Sequence, residues 1–129
     1  MKKIVSLQLI ALLALILILG FGCGKYEPEW LVVTGTGAPN PGKPPSQGKL
    51  MAKRAAEMDA RRNMLEQIKG VPIDSTTYVK DFMTQSDSIR SQIDGMIKGA
   101  QVIATRFNDD GTVEVDLQID LKKVKKLVK

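Results

Sequence analysis

The chain begins with a hydrophobic segment whose pattern differs from everything that follows. Two lysines form a short basic start, residues 4–19 are almost entirely apolar, and small residues lead up to Cys23. A basic start, an apolar run and small residues before a cut site are typical of a secretory signal. The run is short for a helix that must cross a hydrocarbon layer of about 30 Å. We therefore predict a signal peptide over residues 1–22.

After this segment, the pattern predicts strands and helices that follow one another along a single small domain. Residues 23–29 are polar and are interpreted as a tether. β-branched and alternating apolar residues predict strands at 30–34, 71–82, 101–107 and 112–120. Strong helix formers without proline predict a helix at 47–69, and apolar residues at helical spacing predict a second helix at 86–98.

The clearest strand is 112–120, because apolar and polar residues alternate along all of it. Val113, Val115, Leu117 and Ile119 point to one face, and acidic or amide residues point to the other. One face of this strand is therefore buried and the other is wet.

The clearest helix is 47–69, with Ser46 as a candidate N-cap and Gly70 as its stop. Small residues on one side of the helix let it lie close against a sheet; they are Ala52, Ala55, Ala56 and Ala60.

Glycine and proline mark the connections. Residues 35–46 are dense in both and predict a loop, and residues 108–111 carry the Asp-Gly signature of a hairpin turn. The resulting order is β-α-β-α-β-β, which closes with an antiparallel hairpin. It predicts an α+β domain over residues 30–129, with helices packed on one face of a mainly antiparallel sheet.

Composition narrows the function classes. The formal charge of +5 falls to +3 when Lys2 and Lys3 leave with the signal, and aromatic residues are few and scattered. A nucleic-acid partner is not expected from such a chain. There is no histidine and only one cysteine, so neither an internal disulfide nor a histidine base is available.

The residues around the single cysteine, Leu19-Gly20-Phe21-Gly22-Cys23, resemble the lipobox of bacterial lipoproteins. Leu19 stands one position earlier than the usual leucine. The resemblance implies that the Cys23 thiol receives a diacylglycerol, that the signal is cut before it, and that the new amine is acylated by a fatty acid such as palmitate. The other interpretation is an uncut signal-anchor helix with Cys23 as a bystander. Both place the domain outside the cytoplasmic membrane.

The position after the cysteine carries sorting information in lipoproteins. It is Gly24 rather than aspartate, so the chain resembles lipoproteins that are sent to the outer membrane. We expect it to be anchored there, on the periplasmic face.

Several segments resemble the LPP20 lipoprotein family, which includes FlgP-like flagellar outer-membrane lipoproteins and the N-terminal domain of FlgT. The similar stretches lie within residues 30–121 and are 30–37, 52–66, 68–71, 99–102 and 110–115. The resemblance implies a small α/β module and an envelope lipoprotein. Several members form rings or disks around the flagellar motor.

The leading hypothesis is therefore a self-assembling envelope lipoprotein of structural role, with a place in a flagellar outer-membrane ring that supports motility. Its partners are expected to be the membrane, other copies of the chain, and flagellar or envelope proteins. The alternative is a monomeric periplasmic or surface-exposed binding lipoprotein or antigen without a flagellar role. Catalytic, cofactor-binding and metal-binding residues are not expected, and the chain is not expected to be an enzyme.

Two motifs invite a sharper interpretation. Residues 35–37, Gly-Thr-Gly, follow a strand, but the third glycine of a dinucleotide fingerprint and the Gly-Lys-Ser/Thr of a P-loop are missing. A strand end is the simpler interpretation. Asp109 and Asp110 precede a glycine and lack calcium-loop spacing, which favours a turn over a metal site.

Two charged groups leave alternatives open. Asp59, Arg61 and Arg62 form either a contact between subunits or a local pair beside solvated arginines. The basic amphipathic end at 121–129 either touches anionic lipid or a neighbouring subunit, or is a solvated tail that caps the sheet.

Overall fold

The computed structural model describes residues 24–129. The predicted signal peptide at 1–22 and the candidate lipidation site Cys23 lie outside these residues. The described chain forms three strands and four helices. In chain order they are β1 Trp30–Gly37, α1 Pro45–Lys69, α2 Val79–Gln85, α3 Asp87–Lys98, β2 Gln101–Phe107, β3 Val113–Asp120 and α4 Leu121–Leu127.

The three strands form one antiparallel sheet in the order β1-β3-β2. The last strand along the chain is thus the central one, and it pairs Val33 with Leu117 on one side and Thr105 with Val115 on the other. The alternating apolar residues of β3 are buried, as its pattern predicts. With α1 packed on β1 and β3, the predicted α+β class is confirmed.

Helix α1 lies across the sheet with a buried stripe that repeats every four residues. The stripe contains Ala52, Ala56, Ala60, Met64 and Ile68. Full burial of a side chain such as Met64 or Ile68 contributes about 1.5–3 kcal/mol. Ala55, which the sequence places with the small residues, is exposed instead.

The start of α1 differs from the prediction. The helix begins at Pro45, and Ser46 makes no capping hydrogen bond. Proline suits the first helical position because its fixed φ is already helical and its missing N–H has no partner there. The predicted end is confirmed, since the Gly70 N–H donates to the carbonyls of Glu66 and Gln67.

The strand predicted at 71–82 is wrong. Only an isolated bridge joins Pro72 to Tyr78, and the chain then enters α2. Val79 and Met83 are buried at helical spacing, and the Asp81 carboxylate accepts the Tyr78 N–H at 2.8 Å, which stabilises the helix start. The segment is rich in residues that favour strands, although its buried residues are spaced as in a helix.

The remaining elements follow the predicted pattern with shifted ends. α3 begins after Ser86, whose Oγ accepts the Ile89 N–H at 3.3 Å, and it buries Ile93 and Ile97. Gly111 has φ +84° and closes the β2–β3 turn. The predicted loop at 35–46 is shorter, because β1 continues through Gly37 and α1 begins at Pro45.

The basic end of the chain is ordered as helix α4. Val124 and Val128 are buried in the core, so the apolar side of the segment packs inward as its spacing predicts. The lysines therefore lie on the outer side of the molecule.

Candidate functional site

Gly35 and Gly37 of β1 bring the strand into direct contact with α1. A Cβ built on Gly35 would collide with the backbone of Ala60 and Ala56, and one built on Gly37 would collide with Ala52 and lie 2.6 Å from the Ala56 nitrogen. The Gly-Thr-Gly motif thus provides a close approach between strand and helix. The alanine backbone of α1 occupies the space beside both glycines, so a phosphate could not bind on that side of the strand.

Helix α1 also covers the free edge of β1. Asp59 Oδ2 accepts the backbone N–H of Thr36 at 3.0 Å, and Asn63 Nδ2 donates to the Thr34 carbonyl at 3.2 Å. Asn63 also donates to Asp59 at 3.3 Å. Of the two interpretations of Asp59, the local one describes its contacts. These side chains occupy backbone groups that would otherwise be open to another strand.

The two arginines beside Asp59 are not drawn into this arrangement. Arg61 lies 3.8 Å from Glu57 one turn earlier, at the limit of an ion pair. Arg62 is exposed.

Asp109 and Asp110 lie in the β2–β3 turn. Asp110 Oδ1 accepts the Thr112 N–H at 2.9 Å and the Thr112 hydroxyl at 2.6 Å. These two hydrogen bonds lower the pKa of Asp110 below its usual range. The carboxylate is therefore occupied in closing the turn. Within residues 24–129, no group of three or more acidic residues is placed to hold a metal ion.

Asp120 organises the junction between the N-terminal tether and α4. Its side chain is almost fully buried. It accepts the Tyr26 hydroxyl, the Glu29 N–H at 3.2 Å and the Lys122 N–H at 3.0 Å. The last of these caps the start of α4. Asp120 thus joins residues that follow Cys23 to the far end of the chain.

Hydrogen bonding controls the ionisation of this buried carboxyl. Burial by itself raises the pKa of Asp120, but the hydrogen bonds from Tyr26, Glu29 and Lys122 outweigh it and hold the pKa below its usual value. The same contact raises the pKa of Tyr26, whose hydroxyl donates to the carboxylate. Asp120 is therefore ionised at neutral pH, with its charge satisfied by donors.

The tether makes further contacts along α4. The Leu121 N–H donates to the Glu29 carbonyl at 2.7 Å, Lys125 Nζ lies 2.8 Å from both Glu29 oxygens, and Lys122 Nζ donates to the Glu27 carbonyl. Tyr26 lies between lysines, with its ring centre 5.7 Å from Lys122 Nζ. This docking was not predicted; the only signal was the acidic character of the tether opposite a basic end.

A groove of about 460 Å³ lies between the tether and the helix. Its lining is aromatic at one point and otherwise charged, with Tyr26, Glu29, Lys122, Lys125, Lys126 and Lys129. The tether residues Tyr26 and Glu29 therefore lie beside a surface that is rich in lysine.

The other edge of the sheet is different. Within residues 24–129, β2 pairs only with β3, and no side chain hydrogen-bonds to its backbone. Val102, Ile103 and Phe107 are exposed along it. An open edge with exposed apolar side chains has backbone groups that are free to pair with another strand.

The wet face of the sheet carries an ion-pair network beside this edge. Arg106 binds Glu114 at 2.9 Å and Asp116 at 2.6 Å, and Thr34 donates to Asp116 at 2.7 Å. Arg106 first and Thr34 second lower the pKa of Asp116. The network links all three strands and holds the open edge in register.

Comparison with known proteins identifies a family. The family model described as LPP20 lipoprotein matches residues 28–120, which span β1 through β3. Curated proteins and solved structures give no significant match. Among the helices within residues 24–129, none is both long and apolar enough to cross a membrane.

Proposed function

This chain belongs to the LPP20 lipoprotein family, and from that premise we propose that it is a structural lipoprotein of the outer membrane, anchored by lipid on Cys23 and assembled with its own copies. The observation that carries the structural role is the contrast between the two sheet edges. We further propose that the assembly is a ring or disk of the flagellar motor.

The anchor is supported by the sequence before the domain. An apolar run with a basic start ends at the only cysteine, and the matched family consists of lipoproteins. Three acyl chains on one residue would hold the protein firmly, because each buried methylene contributes about 0.8 kcal/mol.

Self-assembly is supported by the uneven protection of the sheet. Asp59 and Asn63 bind the Thr36 N–H and the Thr34 carbonyl at the β1 edge, whereas the β2 edge carries exposed Ile103 and Phe107. A second copy that pairs along β2 would bury these side chains and satisfy the free backbone groups. Such pairing between identical edges joins two copies. A ring needs a second surface, for which the exposed Trp30 and Val32 on the wet face of β1 are available.

The anchor is tested with Cys23→Ala in the full chain. In cells fed an alkyne fatty acid, the unchanged chain should become labelled and the variant should not. Mass spectrometry should show that the variant keeps its signal peptide. Ser46→Ala is the matched control, because it alters a small polar residue that makes no capping bond. Continued labelling of the Cys23 variant would remove the anchor from the proposal.

The structural role is tested with the mature lipoprotein in mild detergent. Light scattering should show oligomers that grow with concentration. A strict monomer would favour the alternative of a binding lipoprotein.

The flagellar role has its own test. Deletion of the gene should reduce swimming and remove density around the motor in electron cryotomograms. Normal swimming with complete motors would exclude the flagellar role and leave the envelope role untouched.

A further inference from the structure

Helix α4 and the two residues after it place apolar side chains towards the core and lysines on the outer side. Val124 and Val128 face the core, and Lys122, Lys125, Lys126 and Lys129 line the groove on the outer side. The spacing of three and four residues places Lys122, Lys125 and Lys126 on one side of α4, and Lys129 follows two residues after the helix ends. We call these four residues the lysine face.

The tether runs along the lysine face. Tyr26 and Glu29 bind Asp120 at the start of α4, and Glu29 also pairs with Lys125. Cys23 precedes Tyr26 by three residues, which span at most about 11 Å when extended. The Debye length at physiological ionic strength is about 8 Å. A lipid on Cys23 would therefore hold the membrane surface within about 11 Å of Tyr26, a distance comparable to the Debye length.

The lysine face keeps positive charge after its internal contacts are satisfied. Glu29 neutralises Lys125, whereas Lys122 donates to a carbonyl oxygen and forms no ion pair within residues 24–129. Lys126 and Lys129 are exposed and form no ion pair within residues 24–129. The contacts that hold the tether thus leave a net positive surface beside its exit.

We propose that the lysine face binds the anionic phospholipid headgroups of the membrane that holds the anchor, and so fixes the orientation of the domain on that membrane. This inference rests on the proposed lipid at Cys23. The face contains lysine and no arginine, so it offers compact point charges rather than planar forks. Lysines of this kind respond to the charge density of a surface rather than to one headgroup.

The orientation leaves the rest of the fold free. Gly37 lies at the opposite end of β1 from Trp30 and contacts Ala52, so Lys49 and Lys53 lie far from the tether. They face away from the membrane in this arrangement and serve as internal references.

The test uses the lipidated full-length product, reconstituted in vesicles of phosphatidylcholine with or without phosphatidylglycerol. Exposed amines are acylated by a water-soluble reagent and quantified by mass spectrometry. Phosphatidylglycerol should lower the labelling of Lys126 and Lys129 about fivefold, leave Lys49 and Lys53 unchanged, and lose its effect in high salt.

Two double variants sharpen the test. Phosphatidylglycerol should also protect Lys122 and Lys125 in the unchanged chain, and this protection should be lost in the Lys126→Gln/Lys129→Gln chain. In the Lys49→Gln/Lys53→Gln chain, which changes charge equally, protection should persist.

The failures are distinguishable. Equal labelling of a lipidated chain in both vesicles overturns the lysine-face proposal alone. Protection that rises with protein density, independent of phosphatidylglycerol, assigns the face to a second copy and also overturns it. A chain whose intact mass shows no lipid on Cys23 overturns the anchor and, with it, this inference.

Discussion

Gly37 of β1 lies against Ala52 of α1 so closely that a side chain on the glycine would collide with the alanine carbonyl. Gly35, two residues earlier in the strand, makes the same close approach to Ala56 and Ala60. The strand that leads away from the tether is thus held to the longest helix by backbone contact. This relationship decides what the Gly-Thr-Gly motif does and supplies the first prediction.

Gly37→Ala should destabilise the fold by about 3 kcal/mol, because the new methyl group meets helix backbone that cannot move aside as a side chain can. Gly95→Ala is the matched control. Gly95 lies within α3 with open space around it, so alanine there should stabilise by about 0.5–1 kcal/mol. Urea unfolding followed by circular dichroism measures both. A Gly37→Ala chain as stable as the unchanged one would refute the close-packing role.

The β1 edge offers the second prediction. Asp59→Ala removes the acceptor of the Thr36 N–H and should cost about 1 kcal/mol. Hydrogen exchange at Thr36 should accelerate, since its amide then faces water. Asp94→Ala removes a helical carboxylate from α3 instead and should leave the Thr36 amide unchanged. Equal exchange at Thr36 in all three chains would show that the helix does not protect this edge.

The third prediction concerns self-association through the open β2 edge. Phe107 is 54% exposed on this edge, and Phe107→Glu places a charge where a second copy would pair. Self-association of the mature lipoprotein should weaken about tenfold. Met58→Glu introduces the same charge at an exposed apolar residue of α1 and should leave association unchanged. If both variants associate alike, the assembly surface lies elsewhere.

The fourth prediction concerns pH at the tether. The pKa of Asp120 is below its usual value, so its contribution to stability is complete above the usual aspartate range and is lost as pH falls through the folded-state pKa. Exchange protection at the Glu29 and Lys122 amides should therefore be constant near neutrality and decline below about pH 4.

Asp120→Asn should remove most of this pH dependence and loosen the tether at neutral pH. Asp109→Asn changes an exposed carboxyl of the turn and should retain the decline. Tether protection that does not change in acid, in the chain with Asp120 intact, would contradict the role of this carboxylate.

Pattern alone was sufficient where neighbouring positions carry the information. The period of two in β3 and the helical spacing of the apolar residues in α3 are recognisable because each depends on a few neighbouring positions. The small-residue side of α1 was recognised for the same reason. Segment 71–82 was misread because Val, Ile, Thr and Tyr favour strands, whereas burial of Val79 and Met83 selects a helix.

The α+β class, the strand at 112–120, the long helix and the family resemblance can all be derived from the sequence, since they follow from local periods and contiguous motifs. The tertiary structure alone decided which sheet edge is covered and where the tether docks. Asp59 meets Thr36, and Tyr26 meets Asp120, only after folding brings distant parts of the chain together. The identity of one polar residue does not indicate its partner. Water satisfies the same hydrogen bond until folding buries the residue.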